Sequence, residues 1–268
     1  MLELRGITKS FRKGAFNRSL QNVLDDVDLL IERGKKVGVM GDSGSGKTTL
    51  ARIAVRMIDP DKGTIHLDGS DLTNLSSNRM RDYRSQLQMA FQHPEGALDP
   101  EMKLCGSLDE ALLKSGTPRN RLKDKRDEVC IEMNIPEALL SRYPMQVSGG
   151  EIQRVALARV LAFNPSYLFM DEPTSMLDVS IQAHILNVIL KRSKRTNMGL
   201  VLITHDLDIV RAVCDDVAIL YQGKIIGNGK IKEVFEGDRH PYIREMVTSW
   251  DLSKEIGNYI KRNSETDA

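Results

Sequence analysis

The octapeptide GDSGSGKT, residues 41–48, constrains this chain more than any other part of it. It satisfies the pattern G-x-x-x-x-G-K-[ST] in the right context. The apolar run KKVGVM (35–40) precedes it, and a helical pattern starts at Lys47. Gly41, Gly44 and Gly46 permit backbone angles and close approaches that a Cβ forbids. The loop's N–H groups, along Gly41, Asp42, Ser43, Gly44, Ser45, Gly46, Lys47, Thr48 and Thr49, can then wrap phosphate oxygens at a helix N-terminus. Lys47 reaches the β/γ oxygens, and Thr48 offers its hydroxyl to Mg²⁺. A loop of this kind joins a strand to a helix, which is an α/β arrangement.

The rest of the chain repeats that alternation. From Lys47 onward, Leu50, Ile53, Ala54, Met57 and Ile58 fall on one helix face. SYLFMDE (166–172), LVLITHD (200–206) and VAILYQG (217–223) are compact apolar runs bounded by polar residues. Such runs belong to parallel sheets covered by helices on both faces. LELRGITKSF (2–11) and GTIHLDGS (63–70) alternate more, as strands of a half-exposed antiparallel sheet do. Between Gln92 and Ser148 the character changes. GSLDEALLKSG, PRNRLKDKRDEVCIEMNI and PEALLSRY read as consecutive helices broken by Gly and Pro, with no strand candidate. The expected organisation is a phosphate-loop core over 1–92 and 147–237, with a helical subdomain inserted over 93–146. Residues 238–268 are expected to form a helical extension ending in a disordered polar tail.

Composition narrows the function classes. A chain of 268 residues holds one large domain or two modest ones. Its formal net charge of +1 indicates no polyelectrolyte partner, and an aromatic content of 5% is too sparse for base-stacking platforms. Cys105, Cys130 and Cys214 are far apart and odd in number, so they signal neither a disulfide framework nor a metal cluster. MLELRGITKSF lacks the apolar run of a signal peptide, and no segment approaches the roughly 20 apolar residues of a membrane span. The expectation is a soluble cytoplasmic protein that can still dock on a membrane partner.

Other residues complete the chemistry. YLFMDEP (167–173) ends a buried strand with two carboxylates. Asp171 is placed to hold Mg²⁺ through its water shell, and Glu172 to polarise an attacking water. His205 ends LITHD and can contact a γ-phosphate, although a lone His is more often structural or solvated. In VSGGEIQR, Gly149 and Gly150 lie between the Ser148 hydroxyl and a helix, forming a second anion cradle that has no lysine. Ser148 and Glu151 also have the spacing of a helix capping box. Capping accounts for those two residues but not for two adjacent glycines.

VSGGEIQR resembles the signature sequence of the ATP-binding cassette (ABC) ATPases. Around it, in the family's order, stand the loop 41–48, Gln92, YLFMDEPTSMLD and His205. The resemblance runs from about Leu2 to Gly237. It implies a P-loop NTPase fold with a mainly parallel core sheet, an antiparallel β subdomain and a helical subdomain. It implies ATP and Mg²⁺, with Phe11 stacking on adenine, and Gln92 facing the metal and coupling the site to a membrane partner. Two cassettes would meet head to tail, so that Ser148, Gly149 and Gly150 cover the nucleotide held by the other chain's loop. The second cradle then needs no lysine, since the partner supplies one. Asp178 would sit near the dimer axis. Val147, Glu151 and Met176 depart from the family's usual Leu, Gln and Ala.

DVSIQAHIL (178–186), RYPMQVSGGEIQRVALARVL, FQHPEGALDP and HPYIREMV (240–247) look like the peptide and nickel importer branch. That branch implies two transmembrane permease subunits, an extracytoplasmic substrate-binding protein and a place on the cytoplasmic face of the membrane. Many members carry a cysteine cluster in the C-terminal extension, but this chain has no cysteine after Cys214. A soluble cassette ATPase acting on DNA or ribosomes is the competing class, and the chain shows none of its usual tandem cassettes, zinc modules or coiled-coil insertions. A P-loop kinase or nucleotide sensor is disfavoured by Glu172 together with the signature stretch.

Overall fold

Hydrophobic patterning sorts the strands into two sheets. The computed structural model describes residues 1–12, 20–172, 179–237 and 240–250. The first half contains β1 (Leu2–Arg12), β2 (Leu20–Ile31), β3 (Lys36–Met40), α1 (Lys47–Ala54), β4 (Lys62–Leu67), β5 (Ser70–Asp71), α2 (Ser77–Arg84) and β6 (Leu87–Ala90). Three helices follow, α3 (Leu104–Lys114), α4 (Leu122–Glu132) and α5 (Gly149–Ala162). The chain then alternates through β7 (Tyr167–Asp171), α6 (Val179–Thr196), β8 (Gly199–Ile203), α7 (Leu207–Val213), β9 (Asp216–Tyr221), β10 (Lys224–Lys230) and α8 (Ile231–Glu236). Residues 241–250 are helical as well.

The six-stranded core sheet has the order β10-β9-β3-β8-β7-β6 and is parallel except for β10. A four-stranded antiparallel sheet, β2-β1-β4-β5, packs beside it. Strand periodicity sends alternate side chains of β7 to opposite faces. Tyr167 and Phe169 join the apolar layer shared with α1 and the antiparallel sheet, whereas Leu168 and Met170 join the layer under α3, α5 and α6. Both faces of the core sheet are therefore covered, which is why its strands read as unbroken apolar runs. Among the described residues, no helix is long and apolar enough to cross a membrane.

Two expectations are corrected. The helix after the 41–48 loop ends at Ala54, so Met57 and Ile58 do not continue its face. Arg56 adopts a left-handed φ of 55°, and Met57 N–H returns to the Arg52 carbonyl, which closes the helix in a Schellman-type turn. PEALLSRY forms only a 3₁₀ turn over Glu137–Leu139 instead of a third helix. The region between Gln92 and Ser148 holds no strand, as its composition suggested. Met176, Asp178 and the polar tail after residue 250 lie outside the described residues.

Candidate active site

The loop 41–48 leaves β3 and turns into α1. Its shape depends on glycine at two points. Gly41 has φ 149°, and a Cβ there would lie 2.0 Å from the Leu220 carbonyl oxygen at the end of β9. Gly46, the α1 N-cap, has φ 109°, and a Cβ would meet the Val23 carbonyl oxygen at 2.7 Å. The loop is thus pressed against β9 on one side and β2 on the other. Lys47 folds back over it, and its Nζ donates to the Gly41 carbonyl at 2.8 Å and the Asp42 carbonyl at 2.7 Å. Ser45 N–H also donates to the Asp42 carbonyl, while the buried Ser45 hydroxyl has no hydrogen-bond partner.

The two strand-end carboxylates differ in surroundings. Asp171 is buried and accepts a hydrogen bond from the Thr48 hydroxyl at 2.8 Å. Burial raises its carboxyl pKa, and the Thr48 bond opposes the rise only in part. Burial likewise lowers the Lys47 ammonium pKa, against the pull of Glu172, Asp171 and Asp42. Both shifts arise because charge is disfavoured in this cleft. A polyanion beside Lys47 and a cation beside Asp171 would reverse them.

Glu172 leaves the strand with a left-handed φ of 44°, an uncommon conformation for a non-glycine residue. Its N–H bonds to the Ile203 carbonyl on β8, which fixes the turn. Gln92 Nε2 donates to Glu172 Oε2 at 2.7 Å, and His205 Nδ1 lies 3.2 Å from Glu172 Oε1. The carboxylate is therefore held from two sides, by residues two positions beyond the ends of β6 and β8. His205 is placed by its neighbours: Asp206 caps α7 by accepting from the Asp208 and Ile209 N–H groups, and Thr204 Oγ1 accepts from Asp206 N–H. The His205 ring itself is exposed.

Loop, Thr48, Asp171, Gln92, Glu172 and His205 thus gather at the ends of neighbouring strands. The other expected residues stand apart. Phe11 is exposed on the antiparallel sheet, opposite Gln21, with Lys9 Nζ 5.6 Å from its ring centroid. Ser148 caps α5 in a complete capping box: its hydroxyl accepts from Glu151 N–H at 3.4 Å, and its own N–H donates to Glu151 Oε2 at 2.7 Å. The Ser148 N–H and the Ser148 hydroxyl, which also donates to Glu151 Oε2 at 2.8 Å, hold the Glu151 carboxyl below its usual range. Among the described residues, no hydrogen bond links Ser148, Gly149 or Gly150 to the loop 41–48. Gly149 and Gly150 are ordinary helical residues, so their backbone angles do not demand glycine.

Sequence reasoning missed Tyr242. Its hydroxyl donates to Asp42 Oδ1 at 2.8 Å, bringing the C-terminal helix onto the phosphate loop. HPYIREMV was legible only as a family marker, and no local pattern signals a bond across 200 positions.

Comparison with known proteins gives the family and the fold. The ABC transporter family model matches residues 24–175. The chain is 34% identical over 269 residues to the oligopeptide transport ATP-binding protein AppF of Bacillus subtilis, covering 98% of this chain and 81% of that protein. It is 35% identical over 258 residues to the oligopeptide transport ATP-binding protein OppD of Lactococcus lactis subsp. cremoris, covering 93% and 75%. The dimeric structure of MJ0796, a bacterial ABC transporter cassette, superposes with a TM-score of 0.79 at 26% identity, covering 86% of this chain and 99% of that one. A dimeric post-hydrolysis state of the MJ0796 cassette, bound to ADP and Pi, gives a TM-score of 0.78 at the same identity and coverage.

Proposed function

Because the chain belongs to the ABC transporter ATP-binding cassettes, we propose that it is the ATP-hydrolysing subunit of a peptide importer, with Glu172 activating the attacking water. The observation that carries this is the Gln92–Glu172–His205 arrangement beside the loop of Lys47 and Thr48. A carboxylate held by hydrogen bonds on both oxygens stays where a water in line with the γ-phosphate needs it. On arrival of ATP, Lys47 exchanges its two carbonyl partners for phosphate oxygens, and the loop N–H groups take the remaining charge. On this reading His205 contacts the γ-phosphate and Phe11, from the antiparallel sheet, stacks on the adenine.

The donors near Thr48 suit a magnesium ion. Thr48 Oγ1 and Asp171 Oδ2 are hard oxygens already in contact, and Asp171 is a buried carboxylate lacking a close cationic partner among the bonds it makes. Gln92 spends Nε2 on Glu172, so Oε1 is the atom it would have left for the metal. A magnesium ion held by Thr48 and Asp171 would supply positive charge to offset that of the nucleotide's phosphates.

The relatives are oligopeptide transport proteins, which favours peptides over nickel as cargo. The similar cassette structures are dimers, which favours a second cassette, identical or not, covering each nucleotide with its Ser148–Gly150 stretch. Two permease subunits and an extracytoplasmic binding protein complete the assembly, with this chain peripheral on the cytoplasmic face. Nothing in the relatives favours action on DNA or ribosomes. The test is Glu172→Gln, which keeps the shape of the site but removes the charge and replaces one of the two accepting oxygens by an amide NH2. Turnover in the reconstituted transporter is expected to fall by roughly 10²–10⁴-fold while ATP still binds. Turnover near wild type would remove Glu172 from the catalytic role.

A further inference from the structure

The helix at 241–250 makes a contact that hydrolysis alone does not explain. Tyr242 stacks on Tyr221, with ring centroids 4.4 Å apart, and Tyr221 directly follows Leu220, whose carbonyl borders Gly41. Ile243 and Val247 are buried in the same apolar cluster as Met40, the residue before the loop. His240 Nδ1 accepts from the Tyr242 N–H at 3.2 Å and fixes the start of the helix. The Tyr242 hydroxyl is thus carried on a rigid mount, and it donates to Asp42 Oδ1.

Asp42 is where the loop's bonds converge. Its carbonyl takes Lys47 Nζ and Ser45 N–H, and its carboxylate takes Tyr242. A carboxylate within a loop of inward-facing N–H groups is chemically a phosphate mimic. Left free to turn, it would satisfy those donors itself and oppose an incoming polyanion by charge. We propose that Tyr242 is a positioning residue of the nucleotide site, holding the Asp42 carboxylate on the C-terminal helix so that it does not compete with the phosphates of ATP. This role rests on the nucleotide-site assignment above. It gives the C-terminal extension a part in ATP binding without any contact to the nucleotide.

The experiment is a titration of ATP onto the full chain, with turnover followed in the assembled transporter. Tyr242→Phe keeps the ring stack and removes only the hydroxyl. ATP affinity is expected to fall by about tenfold, the scale of one lost bond to a charged group. KM should rise in parallel while kcat at saturating ATP holds, since Glu172 and His205 are untouched. Adding Asp42→Asn to Tyr242→Phe is expected to recover most of the affinity, because the amide carries no competing charge. Asp42→Glu reads the same idea with the helix intact. It moves the carboxylate one methylene from the hydroxyl and is expected to weaken ATP in the same way. Wild-type affinity in either Tyr242→Phe or Asp42→Glu overturns the role, as does a double variant as weak as Tyr242→Phe alone. Failure of the unmutated chain to bind ATP would overturn the nucleotide-site assignment and this role with it.

Discussion

Asp171, proposed to hold magnesium, would separate the requirements of function and folding at a single residue. Its buried carboxylate accepts one hydroxyl and carries a raised pKa, so its ionised form costs the nucleotide-free fold. The sign follows from linkage. A carboxyl whose pKa is higher folded than unfolded loses protein stability as pH rises through these values, and regains it as pH falls through the folded pKa. Asp171→Asn keeps the acceptor for Thr48 and removes the charge. At neutral pH its melting temperature without nucleotide is expected to match or exceed wild type, with the gap closing as pH drops toward the carboxylate range. Magnesium-dependent hydrolysis should fall by about 10²-fold. A lower melting temperature at neutral pH would show that the ionised group stabilises the fold. Asp171, Glu172, Lys47 and Thr48 were all legible because motif spacing carries them. The left-handed φ of Glu172 and the Tyr242 bond were not, since each is imposed by residues distant in sequence.

At the scale of elements, α1 carries Lys47 and Thr48, and its far end is held from outside. Arg84, at the end of α2, donates to the Val55 carbonyl at 2.8 Å and the Arg56 carbonyl at 2.9 Å. These are carbonyls that a helix C-terminus leaves without intrahelical partners. Arg84→Ala is expected to cost about 1 kcal/mol, at the low end because the side chain is partly open to water. For a chain of this size that lowers the melting temperature by about 2–4 °C in a thermal scan. An unchanged melting temperature would mean that water satisfies both carbonyls equally well. The stop at Ala54 was hidden because an arginine, not a glycine, takes the left-handed position, and its partner lies 28 residues away. The strand β10 did carry a local signal: Gln222 and Gly223, both with positive φ, make the two-residue turn that favours a hairpin from β9. The strand β2 was obscured by an irregular register near Asp26, whose φ is 56°, although Val27, Leu29 and Ile31 alternate inward after it. Compact runs buried on both faces were easier to recognise, since no register has to be guessed for them.

On the scale of the whole molecule, the role proposed for Ser148–Gly150 would make the enzyme complete only as a pair of chains. The capping box explains Ser148 and Glu151 within the chain, and Ser148→Ala is expected to cost it about 1 kcal/mol. It leaves the glycines unexplained. Both are helical, at the first two positions of α5, and their backbone angles admit a side chain. Bare backbone at a helix N-terminus suits an anion arriving from outside, and the similar cassettes are dimers. Gly149→Phe is therefore expected to leave ATP affinity and melting temperature of the isolated chain near wild type. Hydrolysis in the assembled transporter should collapse, because the ring blocks the approach of the partner's γ-phosphate. Where the partner cassette is a different chain, the damaged site is the partner's, and turnover at this chain's own Lys47 and Glu172 should persist in single-turnover measurements. The measurement that decides combines affinity and melting of the isolated variant with ATPase activity of a complex verified to contain it. Unaltered turnover there would confine Ser148–Gly150 to capping, and loss of ATP binding by the isolated chain would place the stretch within its own nucleotide site.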